Sequence, residues 1–129
     1  MAKNKNKKKI VGEFVKRNKG KAKIKEITDE SIIFTNGAEI TFDHAQDCCE
    51  WNYADFDQLD DIARKETFSF PLSFEAVDGA GFRFGNQPYK MYFIPCYSEQ
   101  NGYYTDEIDI YLNGRKIIGG LTCDDKYIW

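Results

Sequence analysis

A chain of 129 residues is enough for one domain, and an apolar fraction of 42% with 16% aromatics supplies a core that needs no disulfide or metal to hold it. The net charge of -3 conceals an asymmetry: residues 1–25 hold eleven of the eighteen basic residues against one acid, Glu13, so they carry +10 and the remainder carries −13. No run of eighteen apolar residues exists to span a bilayer, and no apolar stretch follows the basic start as a secretory signal requires.

Residues 1–9 are almost wholly Lys and Asn and have nothing to bury, so they read as a disordered basic arm ahead of a single β-rich domain over 10–129. Residues 9–15 fit a short strand or a helical turn. Residues 22–27 alternate as a half-exposed strand does. Asp29-Glu30 turns the chain into Ser31-Ile32-Ile33-Phe34-Thr35, and Asn36-Gly37 is a strong hairpin signal because both residues tolerate positive φ. Glu39-Ile40-Thr41-Phe42 returns, so a three-stranded meander is expected over about 21–43. Tyr53, Phe56, Leu59, Ile62 and Ala63 repeat at helical spacing. That pattern predicts a short helix capped by Asn52, with Asp55 and Asp57 in its first turn and Arg64 and Lys65 in its last.

Strands resume over 68–77, where Pro71 favours an edge or a bulge. Asp78-Gly79 and Gly81 mark a turn. Residues 89–97 and 106–112 read as long strands joined in a hairpin by Asn101-Gly102. In the second of these, Ile108, Ile110 and Leu112 share one face. Asn113-Gly114 opens another turn, and Ile117-Ile118 belongs to a last strand. The expected class is α+β and β-rich: an antiparallel meander sheet with one short helix after the Cys48-Cys49 pair.

The densest group of reactive side chains is His44-Ala45-Gln46-Asp47-Cys48-Cys49-Glu50, which contains the single histidine of the chain. A zinc site would draw on His44 with one of the two cysteines, but adjacent cysteines diverge, and Cys96 or Cys123 would have to complete the shell. A nucleophilic thiol would use His44 as base and Asp47 or Glu50 to orient it, yet no nucleophile motif surrounds the pair. The same residues could present hydrogen-bonding groups to a partner. The plain alternative is that the thiols fill core while His44 and Asp47 tie down a loop. A second group, Asn101-Gly102-Tyr103-Tyr104-Thr105, places two tyrosines on opposite faces after a tight turn, so that one can serve recognition. With no signal sequence, all four cysteines, Cys48, Cys49, Cys96 and Cys123, read as free thiols of a cytoplasmic protein.

These two segments resemble the hallmark of a family of small bacterial and phage domains of unknown function. That hallmark is an aromatic-x-His-x-Gln-Asp-Cys-Cys-Glu stretch, an acidic segment, and a later Asn-Gly-Tyr-Tyr-[Ser/Thr] hairpin. Here they are Phe42-Asp43-His44-Ala45-Gln46-Asp47-Cys48-Cys49-Glu50 and Asn101-Gly102-Tyr103-Tyr104-Thr105, and the likeness covers about residues 22–112. The basic arm and the residues beyond Leu112 depart from the pattern, as does Tyr53-Ala54-Asp55 in the acidic segment. The resemblance implies a compact β-rich fold and residence in phage or prophage genomes, and no established activity. It also implies that His44, Asp47, Cys48, Cys49, Glu50, Asn101, Tyr103 and Tyr104 belong to one site or one structural knot.

The expected function is therefore a non-catalytic binding module, a phage or prophage accessory protein engaging a host protein or a small ligand, with no cofactor and no membrane partner. The alternative is nucleic-acid association through Lys7, Lys8, Lys9, Lys16 and Arg17, whose charge would release counterions from phosphate. The arm lacks interleaved aromatics, and the body would repel the polymer. A cysteine- or zinc-dependent enzyme at Cys48-Cys49 is the remaining alternative.

Overall fold

The computed structural model describes residues 19–43, 51–100 and 106–127. The meander is β1 (Gly20–Ile27), β2 (Ser31–Phe34) and β3 (Glu39–Asp43); then come β4 (Trp51–Ala54), a 3₁₀ turn (Phe56–Gln58), α1 (Asp61–Lys65), β5 (Thr67–Phe70) and β6 (Ser73–Val77). The chain continues through β7 (Gly81–Asn86), β8 (Lys90–Gln100), β9 (Glu107–Leu112), β10 (Arg115–Thr122) and β11 (Asp124–Tyr127). One sheet has the order β10-β9-β3-β2-β1-β5; the other runs β11-β8-β7-β6, with β4 also on β8. Pairing is antiparallel except between β11 and β8.

Local chemistry explains the hairpins. At β2–β3, Gly37 takes φ 87°, its N–H donates to the Phe34 carbonyl, and the Asn36 side chain accepts from the Ala38 N–H at 3.0 Å. Asn36 thus serves the turn by its side chain, and only Gly37 adopts the left-handed conformation. At β9–β10 both central residues do so, with Asn113 at φ 54° and Gly114 at 79°, as the tightest hairpin turn requires.

The core lies between the sheets. Phe34 on β2 meets Phe68, Phe70 and Phe84 edge-on at centroid distances of 5.8, 5.3 and 6.3 Å. Ile32, Ile40, Ile108 and Ile110 are fully buried beside them. Such edge-to-face contacts add to the burial of large rings. The predicted face of Ile108, Ile110 and Leu112 is indeed the buried one.

Two expectations need correction. The helix does not start near Asn52: residues 51–54 are strand β4, paired with β8 as Asn52↔Ser98 and Tyr53↔Tyr97. Only Asp61–Lys65 is α-helical, capped by Asp60, whose carboxylate accepts from the Ile62 N–H at 2.9 Å. Nor is residues 89–112 a hairpin, because β8 and β9 belong to different sheets. The predicted Asn101-Gly102 turn between them lies outside the described residues. Pro71 occupies a crossing between β5 of one sheet and β6 of the other. Among the described residues, no helix is long and apolar enough to cross a membrane.

Candidate functional site

A cleft of about 480 Å³ opens where the β1–β2 turn, β3, β4 and the 3₁₀ turn meet. Its aromatic wall is Phe42, Trp51, Tyr53 and Phe56, and its carboxylates are Asp29, Glu30, Asp55 and Asp57. A second cavity of about 430 Å³ shares Glu30 and Phe42 with it and adds Glu39 and Asp43. The two form one acidic groove, and no Lys or Arg lines either part among the described residues.

Strand alternation places the aromatics. Asn52 and Ala54 point inward and are buried, so Trp51 and Tyr53 share the outer face. Asn52 is accommodated because Ser98 donates to its Oδ1 at 2.6 Å. Trp51 stacks edge-on to Tyr53 at 6.3 Å, and Tyr53 meets Tyr97 across the strands at 5.8 Å. Trp51 nevertheless remains 60% exposed. Beneath them Phe42 on β3 contacts the buried Phe56 ring at 5.9 Å.

The carboxylates are held on short, well-tied backbone. Thr28 and Ser31 hydroxyls share a 2.8 Å hydrogen bond, and the Glu30 N–H donates to Thr28 Oγ1. Asp29 and Glu30 are thereby presented at the tip of the turn. The Asp55 N–H donates to the Pro95 carbonyl, and Gln58 Nε2 donates to Asp55 Oδ2 at 2.7 Å. Among the described residues, ion pairs engage Asp61, Glu66, Glu75 and Asp109, and none engages Asp29, Glu30, Asp55 or Asp57. The negative field is also felt by Tyr53, whose phenol is pushed up to about 12 by burial first, then by the charges of Glu99 and Asp55 and a hydrogen bond to Glu99. It stays neutral at physiological pH.

The site residues singled out from sequence, His44, Asp47, Cys48, Cys49, Glu50, Asn101, Tyr103 and Tyr104, lie outside the described residues, as do Lys7, Lys8, Lys9, Lys16 and Arg17. Their flanks are described. Asp43 and Trp51, which bracket residues 44–50, both line the groove. Trp51 pairs with Glu99 and Asp43 with Asp109, so residues 101–105 are also bracketed by strands running alongside those two. The topology thus brings the ends of both motif segments to one end of the sheets.

Cys96 and Cys123 are free, buried thiols. Burial pushes Cys96 well above the ordinary thiol range, and burial with nearby Asp106 carries Cys123 to about 12. Neither is poised to act as a nucleophile or to complete a metal shell. Among the described residues, no three His, Cys, Asp or Glu side chains converge as a metal site.

Trp51, Tyr53, Asp29 and Glu30 went unnoticed as site residues in the sequence. The available signal was the alternation Trp51-Asn52-Tyr53-Ala54 followed by Asp55 and Asp57, obscured by a polar Asn on the buried face. Comparison with family models, curated proteins and solved structures returned no match.

Proposed function

We propose that this chain is a non-catalytic binding module whose acidic, aromatic cleft takes a cationic group of a host protein or small ligand, as a cytoplasmic phage or prophage accessory protein. The observation that supports it best is Trp51, 60% exposed on a cleft whose carboxylates have no cationic partner among the described residues. An indole exposed beside a concave surface offers a ring face to a cationic or apolar group. A cation over its face gains about 0.5–2 kcal/mol, and each carboxylate at the rim adds about 0.2–1 kcal/mol of screened attraction.

Calorimetric titration with pentalysine tests the reading. The expected result is binding that weakens as salt rises, and that falls at least about fivefold when Asp29→Asn, Glu30→Gln, Asp55→Asn and Asp57→Asn are combined. Equal affinity in the parent and the combined variant would overturn it, as would equal binding of pentaglutamate.

A further inference from the structure

We propose that the lysine-rich segment 3–9 of this same chain occupies the acidic groove, so that an external cationic ligand must displace it; the inference rests on the cation-binding reading above. Charge complementarity argues for this occupant. Residues 1–18 hold seven basic side chains against one acid. The groove offers Asp29, Glu30, Glu39, Asp55 and Asp57 across two neighbouring cavities. Among the described residues, Arg64, Arg83, Lys90 and Lys116 already pair with carboxylates elsewhere.

Reach permits it. The first described strand, β1, starts at Gly20, and the groove begins at Asp29, just past the other end of that strand. Eight strand residues span about 26 Å. Lys9 lies eleven residues before Gly20, a contour of about 36 Å when extended, and the lysines before it reach further. Tethering also gives the arm a millimolar-scale effective concentration at the groove, which a free cationic partner at micromolar level does not match. Glu30 and Phe42 line both cavities, which places the two side by side on one acidic face, an arrangement that suits an extended segment better than a single small cation.

The test uses the full chain carrying Trp129→Phe, which leaves Trp51 as the one indole reporter. It is compared with the same chain bearing Lys3→Gln, Lys5→Gln, Lys7→Gln, Lys8→Gln and Lys9→Gln. Arm occupancy predicts that acrylamide quenching of Trp51 rises at least about twofold in the neutralised arm, and that high salt reproduces this rise in the parent by screening. It also predicts that pentalysine binds the neutralised chain about tenfold more tightly, because the tethered competitor is gone. If quenching and pentalysine affinity are the same in both chains, the arm is not the occupant, while the cleft reading stands. If pentalysine binds neither chain, both fall. A concentration-dependent dimer in sedimentation that disappears with the neutralised arm would place the segment in a second copy and overturn the proposal for the same chain.

Discussion

Ser98 is fully buried on β8, and its hydroxyl donates to Asn52 Oδ1 over 2.6 Å. Asn52 in turn reaches toward the Glu107 carbonyl at 3.5 Å. These three residues belong to β4, β8 and β9, so two polar contacts of one side chain tie the strand under the cleft to both sheets. Removing the donor leaves a buried amide oxygen short of a bond, which costs about 1–3 kcal/mol. Ser98→Ala is expected to lower the unfolding free energy by that amount in chemical denaturation. It should also loosen Trp51, one residue from Asn52, seen as a red-shifted emission in the Trp129→Phe chain. A second residue-scale effect belongs to Asp106. Burial raises its carboxyl, and a hydrogen bond with Asp125, the Asp125 charge and Glu107 push the same way. A carboxyl raised in the folded state stabilises the fold fully below its unfolded value, and that contribution is lost as pH rises through the folded value. Asp106→Asn keeps a donor toward Asp125 without a titrating proton. The variant is expected to melt higher than the parent at pH 7. That advantage should shrink as pH falls toward about 4, the ordinary aspartate range; an unchanged difference across that window would contradict the assignment.

At the scale of elements, both sheets are stitched at their margins. The Asn86 side chain on β7 accepts from the Ser69 N–H and donates to the Ser69 carbonyl, both at 2.7 Å. It occupies the outer edge of β5 as a strand would. On the other side the Gly79 N–H donates to the Thr122 carbonyl at 2.8 Å, joining the β6–β7 turn to β10. Open strand edges invite pairing between molecules. Asn86→Ala uncovers both Ser69 backbone groups, so it is expected to cost about 1–2 kcal/mol and to shift elution toward larger species with rising concentration. Much of this level was legible in the sequence. The meander, the Asn36-Gly37 and Asn113-Gly114 turns and the inward face of Ile108, Ile110 and Leu112 follow from period-two alternation and from turn chemistry, both local. What was not legible depends on partners far along the chain. Of the predicted helical stripe, Phe56, Leu59 and Ala63 are buried but Ile62 is exposed; β8 claims residues 51–54 by pairing, and that leaves only Asp61–Lys65 in an α-helix. The cleft was hidden for the same reason. Trp51 gains its meaning from Asp29 and Phe42, which reach it only through the assembled sheets.

At the scale of the whole molecule, the two sheets close over Cys96 and Cys123, which are 0% and 2% exposed. Cys96 sits where β8 leaves β7 for β4, its N–H donating to the Ala80 carbonyl. Cys123 links β10 to β11, and its N–H donates to the Asp106 carbonyl. A reagent reaches either sulfur only when the strands around it open, and β8, which carries Cys96, pairs with β11 on one side and with β4, the wall of the cleft, on the other. Thiolate formation is opposed as well, since both thiols are raised by burial. In a chain with Cys48→Ser and Cys49→Ser, labelling of the two remaining thiols by a disulfide reagent is therefore expected to track opening of the fold. An opening free energy of about 4 kcal/mol or more gives protection of at least about a thousandfold over the denatured chain. The protection should collapse at the same denaturant concentration as the Trp51 signal. Fast labelling in native buffer would show that β8 and β11 open independently of the cleft. The cleft would then be carried by a mobile edge, and a cationic ligand would slow the labelling by holding that edge closed. Coincident loss of the two signals would instead establish that the walls of the site and the core between the sheets form one cooperative unit.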